Sequence, residues 1–173
     1  MLRYIVRDLA GVLWYLPYGI MAGMLTAMIL TVINYGRSNR GKSKIATLPF
    51  SCLMMYLQIL LIITYFSRES GSQVGVMDLQ LFSTWGINLR NNAYVVENVL
   101  LFIPYGFILP WAVARQRHFS TNLRTGAVTS LAIECMQLVT QRGYFQIDDI
   151  LTNTLGTILG YLCYRIFEII QRG

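Results

Sequence analysis

Five long apolar stretches dominate this chain, and they constrain it more than any motif does. They cover residues 11–34, 46–66, 93–114, 121–140 and 149–170. A helix of about 20 apolar residues crosses the hydrocarbon core of a bilayer. In lipid the backbone must satisfy its own hydrogen bonds, which leaves helices and closed barrels as the spanning structures. The stretches lack strand-like alternation, so the expectation is an all-α, polytopic membrane bundle of about five helices. It would form a single membrane domain over residues 1–173. With 55% hydrophobic residues in 173, a soluble globule this small has too little interior to hide them. The first stretch is too long for a signal-peptide core and shows no small-residue cleavage site.

Charge sets the direction. The loop between stretches one and two holds Arg37, Arg40, Lys42 and Lys44 and no acid. The loop between three and four holds Arg115, Arg117 and Arg124 and no acid. Basic loops stay cytoplasmic, so segment 67–92 and the turn before residue 149 are expected outside. The N-terminus is then outside and the C-terminus cytoplasmic, with Arg3 and Arg7 outweighed by the four basic residues beyond the first span. The net charge of +6 is thereby explained without nucleic acid, for which no module is present. Cys52, Cys135 and Cys163 lie far apart inside apolar stretches and have no metal-ligand spacing. The sole histidine, His118, falls in a basic loop. No zinc site or serine triad is therefore expected.

With this topology, scattered polar residues collect at one depth. Glu97 and Asn98 lie in the outer part of the third span. Glu134, Gln137 and Gln141 share a helix face at i, i+3, i+7 in the fourth, and Asp149, Asn153, Gly156 and Gly160 share one in the fifth. Ionisable groups inside a span cost several kcal/mol unless paired or hydrated, which makes them functional candidates. Asp148 reads mainly as a helix cap, and both aspartates suit a helix N-terminus. Arg142 is expected beside the acids. Gly19 with Gly23, and Gly156 with Gly160, form GxxxG patterns that let helices approach closely, here read as packing within the chain ahead of a dimer seam. Pro-Tyr-Gly occurs twice, at 17–19 and 104–106, and is read as two similar helix kinks.

The stretches ENVLLFIPYGFILP at 97–110, ECMQ at 134–137 and RGYFQIDDILTNTLGTILGY at 142–161 together resemble the VanZ family. The matching positions are Asn98, Phe102, Pro104, Gly106, Glu134, Gln137, Asp149, Asn153, Gly156 and Gly160, within 93–164. Gln146 and Glu97 depart from the family's pattern, where an acid and a glycine are common. The resemblance implies a bacterial plasma-membrane protein related to those that confer resistance to teicoplanin, a glycopeptide with a lipid tail.

Three functions fit these residues. The first is an outward-facing polar site of Asn98, Glu134, Gln137, Arg142, Asp149 and Asn153, supported by packing at Pro104, Gly106, Gly156 and Gly160. It would bind a lipid-tailed glycopeptide or a lipid-linked cell-wall component, with membrane lipids as the other partners and Leu81, Phe82, Trp85 and Ile87 as an interfacial lid. The second is a membrane enzyme on lipid-linked phosphates through Glu134 and Asp149. The third is a small proton-coupled transporter or flippase subunit using Glu134. No catalytic residue, metal site or cofactor is assigned; a divalent cation would have only oxygen ligands such as Glu134, Asp149 and Asn153. Oligomeric state is left open.

Overall fold

A computed structural model describes residues 1–71 and 76–172 of the chain. Helix α1, Leu2–Val12, runs through a 3-10 turn at Leu13–Tyr15 into α2, Leu16–Ser38. Then come α3, Thr47–Leu61, with a π-helical turn at Ile62–Phe66, and α4, Leu89–Ala112. Helices α5, Phe119–Val139, and α6, Ile147–Arg172, complete the bundle. The all-α membrane bundle expected from the sequence is what forms. A two-residue parallel pairing of β1, Met77–Asp78, with β2, Phe145–Gln146, ties the segment before α4 to the turn before α6.

Among the described residues, three helical stretches are long and apolar enough to cross a membrane: Leu2–Ser38, Thr47–Phe66 and Leu89–Ala112. Helices α5 and α6 have spanning length, 21 and 26 residues, but are more polar. Their polar side chains are turned inward: Asn122, Ser130, Glu134, Gln137, Asn153 and Thr157 are all buried. The first helix starts nine residues earlier than the apolar run, because α1 is amphipathic and packs beside α4. Its apolar positions Leu2, Ile5, Leu9 and Val12 follow helical spacing.

Glycine builds the central seam. A Cβ at Gly160 would strike the Ile103 carbonyl, one at Gly156 the Val99 carbonyl, and one at Gly106 the Thr157 carbonyl. Such contact is open only to glycine and brings α4 and α6 backbone to backbone. Gly19 and Gly23 do the same, less tightly, for α2 against Ile59, Ser51 and Met55 of α3. Both GxxxG pairs thus pack within the chain. Pro104 and Pro110 lie inside α4, and each removes a helical donor. Pro110 frees the Gly106 carbonyl, which instead accepts from Asn122 Nδ2 at 3.4 Å. Near Pro104, Tyr56 donates its hydroxyl to the Leu101 carbonyl. The apolar core, with Leu60, Phe102, Tyr105, Leu109 and Ile133, sits between α3, α4 and α5.

Candidate functional site

The end of α3 sets the first part of the site. The π turn closes with Ser67 N–H donating to the Ile62 carbonyl at 2.9 Å. It leaves the Thr64 carbonyl free to accept from Gln137 Nε2 at 2.7 Å. It also delivers Arg68 over the bundle's end, where its Nη1 lies 3.4 Å from Gln137 Oε1. Gly143 leaves room for this pair: a Cβ there would meet Arg68 Nη1 at 2.6 Å.

The start of α6 sets the second part. Asp148, 6% exposed, is more than a helix cap. Its Oδ1 accepts from Phe82 N–H at 2.7 Å and its Oδ2 from Thr84 N–H at 3.0 Å, with Ser83 Oγ at 3.5 Å. Ser83 also donates to Asp78 Oδ2 at 2.6 Å. The capping role expected of Asp148 is corrected: the same first-turn position carries its carboxylate onto the 82–84 loop and fastens it. Phe82 is held with φ of 62°, a conformation that bulky residues rarely adopt and that the Asp148 bond secures. Of the expected outer segment 67–92, residues 72–75 lie outside the described ones, and the rest covers this end of the bundle.

Between these two parts lies a cavity of about 530 Å³, lined by Arg68, Asp78, Thr84, Asn98, Gln146 and Asp149, with Tyr94 and Tyr144 among its other walls. A second space of about 320 Å³ shares Arg68, Tyr94 and Asn98 with it. It runs as a slot between α1, α3 and α4 along Leu9, Ile59, Ile63, Leu101 and Pro104. A third, of about 390 Å³, is almost wholly apolar and lies against α4 and α6 beneath Phe82 and Trp85. A polar chamber at one end of the bundle thus lies beside a mainly apolar slot, with Arg68, Tyr94 and Asn98 in the walls of both.

Of the residues expected to form one network, Asn98 and Asp149 interact through their side chains and Glu134 feels the Asp149 charge, while the others lie in further layers. Asn98 and Asp149 face the chamber. Glu134, 2% exposed, lies behind it, and its Oε2 accepts from Gln146 N–H at 3.0 Å. Gln137 braces the π turn. Asn153 lies deeper and donates through Nδ2 to Ser130 Oγ at 2.8 Å. Arg142 does not join the acids. Its Nη1 donates to the Arg68 carbonyl at 2.6 Å and its guanidinium stacks on Tyr65, 5.0 Å from the ring centre. The attraction expected between Arg142 and the aspartates is replaced by a carbonyl and an aromatic face. Gln141 leaves the helical face predicted for it: α5 ends at Val139 and Gln141 turns left-handed, φ 56°.

Sequence reasoning missed Arg68 and Asn122. Arg68 stands just past a span, where a basic residue is unremarkable. Asn122, 1% exposed, sits where a basic loop was expected to give way to lipid. Pro110 twelve residues earlier was a signal, since it leaves a buried carbonyl in need of a donor. Among the described residues, no three His, Cys, Asp or Glu side chains stand together as a metal-ligand group.

Residues 48–168 match the VanZ/LLP1 family. The chain belongs to the VanZ/LLP1 family. The match takes in α3 as well as the α4–α6 region that carries the sequence motifs, so Arg68 and the π turn lie inside the shared region. Protein VanZ of Enterococcus faecium is 32% identical over 72 residues, 42% of this chain and 44% of that protein. The chain thus matches less than half the length of this VanZ/LLP1 relative. No solved structure matches the chain.

Proposed function

We propose that this VanZ/LLP1 protein is a bacterial plasma-membrane protein that holds an amphiphile at the outer leaflet and so lowers susceptibility to lipid-tailed glycopeptides of the teicoplanin type. The carrying observation is the polar chamber of Arg68, Asn98 and Asp149, which shares Arg68, Tyr94 and Asn98 with the mainly apolar slot between α1, α3 and α4. A head group with hydrogen-bonding groups suits the chamber, and a hydrocarbon chain suits the slot. The positive-inside rule orients the chamber outward, because the basic 39–46 and 113–118 loops lie at the other end.

The ligand in this reading is the glycopeptide's tail and head or a lipid-linked wall component of the same build. Glu134 does not line the chamber and spends one carboxylate oxygen on Gln146 N–H. Glu134 and Asp149 interact electrostatically, but only Asp149 lines the chamber, so the amphiphile reading is preferred over an acid–base pair acting on one substrate.

Expression in a susceptible Gram-positive host tests the function. The protein is expected to raise the inhibitory concentration of a tailed glycopeptide and to change that of an untailed one less. Equal protection against both would refute a tail-dependent site. Orientation is tested in a cysteine-free background: Gln80→Cys should react with an impermeant thiol reagent on intact cells and Ser43→Cys should not. The reverse pattern would place the chamber in the cytoplasm.

A further inference from the structure

The chamber's charges and unmet hydrogen bonds specify the ligand more closely. Its lining contributes one guanidinium, Arg68, and two carboxylates, Asp78 and Asp149. Both oxygens of Asp78 already accept, from Gln80 N–H and Ser83 Oγ, whereas among the described residues the Asp149 carboxylate has only the Asn98 side chain as a hydrogen-bonding neighbour and keeps acceptor capacity for a ligand. The adjoining slot adds Asp8, which pairs with Arg7, and Glu97, whose buried Oε1 has no hydrogen-bond partner. Thr84, 8% exposed and part of the chamber wall, has an equally unpartnered buried hydroxyl. Buried polar atoms nearly always have partners, so the Thr84 hydroxyl marks where a ligand's polar group belongs in the chamber.

An anionic head group would find one cation and several carboxylates around it. A purely cationic one would leave Arg68 facing like charge. We infer that the site takes a tailed zwitterion: a head group bearing an ammonium and a phosphate or carboxylate, with its single chain in the slot between α1, α3 and α4. The inference rests on the amphiphile-binding reading and deepens it. The anion pairs with Arg68, and the ammonium donates to Asp149 and Asn98. The slot is chosen over the apolar space under Trp85 because it shares Arg68, Tyr94 and Asn98 with the chamber, whereas that other space shares none of its lining with it. Two sources carry this chemistry: a zwitterionic lipid of the membrane and an amine-bearing lipid-tailed glycopeptide.

The purified chain of residues 1–173 in detergent micelles provides the test, with binding read by native mass spectrometry and by competition. The probes are lysophosphatidylethanolamine, lysophosphatidylglycerol with the same chain, and free phosphoethanolamine. The zwitterionic lipid is expected to bind at least about tenfold more tightly than the anionic one, and phosphoethanolamine not to bind in the same range. Asp149→Asn should narrow or invert the preference between the two lipids. Arg68→Gln should weaken the zwitterion. Ile63→Trp, which fills the slot without removing a charge, should block both lipids at unchanged thermal stability. Equal or tighter binding of the anionic lipid, or unimpaired binding to the Ile63→Trp variant, overturns the inference. A tailed glycopeptide added as competitor separates the sources: displacement of the zwitterionic lipid places both in one site. If the glycopeptide binds while the anionic lipid wins, the zwitterion inference fails and the amphiphile reading stands. If no tailed probe binds, both fail.

Discussion

Helix α2 buries itself in one way and helices α4, α5 and α6 in another. Along α2 only Gly19, Gly23 and Asn34 are buried, while Met21, Met24, Met28 and Val32 are more than 60% exposed. That face has lipid as its solvent and asks for apolar atoms of no particular shape. In the α4–α6 region the interior is glycine against carbonyl, and amide or hydroxyl against backbone. Close helix approach and polar burial both depend on geometry, so this region tolerates little change. The contrast explains how so apolar a chain can carry a polar site: lipid-facing residues supply membrane affinity, leaving the α4–α6 interior free to specify a chamber.

Substitution at the seam should expose the contrast most sharply. Gly160→Leu must drive α6 off the Ile103 carbonyl, at a cost of about 3 kcal/mol or more, and is expected to abolish accumulation of folded protein on size-exclusion chromatography in detergent. Gly36→Ala in α2, where a Cβ would meet nothing within 4 Å, should accumulate normally. Similar losses in both would erase the distinction between the two regions.

A smaller effect is expected at the loop that roofs the chamber. Asp148→Ala leaves the Phe82 and Thr84 N–H groups without their carboxylate, a loss of about 2–3 kcal/mol locally. Limited proteolysis should then cut within 76–88 at a rate the parent chain resists. Asp148→Asn keeps one acceptor oxygen and should fall between the two. Identical digestion of parent and Asp148→Ala would show that the loop is held by something else.

Weaker again is the tie at the far end of α2. Asn34 donates to the Ile45 carbonyl and accepts from Ile45 N–H, both at 2.8 Å. Asn34→Ala should lower the thermal midpoint by the equivalent of about 1–2 kcal/mol. Least of all, Met24→Leu on the lipid face should change stability by no more than about 0.5 kcal/mol. A large loss at Met24 would mean that this face is an interface and not a lipid surface.

The sequence disclosed what repeats and left obscure what turns. Apolar runs and paired glycines have periods, so the helices and the α4–α6 seam could be read from spacing alone. Helix α1 was legible too, in Leu2, Ile5, Leu9 and Val12, but its charges masked it against the apolar run that follows. Asp148 could not be resolved from sequence, because a helix cap and a loop fastener both call for a carboxylate in the first turn. Its neighbour differs only by the rotation of one residue, about 100° around the helix axis, and that rotation sends Asp149 into the chamber. Arg68 and Arg142 were effectively exchanged. Both are arginines beside a span, and only the π turn after α3 decides which one meets the acids' cavity.

The central claim is that this chamber and slot bind a lipid-tailed ligand, with Asp149 reading its head group and Asp148 only holding the roof. The most direct measurement is equilibrium binding of a tailed glycopeptide to the purified chain, to Asp149→Asn and to Asp148→Asn, with an untailed glycopeptide as control. The account predicts saturable binding of the tailed compound alone, weakened about tenfold or more by Asp149→Asn and less by Asp148→Asn. Equal affinity for tailed and untailed compounds, or an Asp149→Asn variant that binds as the parent does, would contradict it.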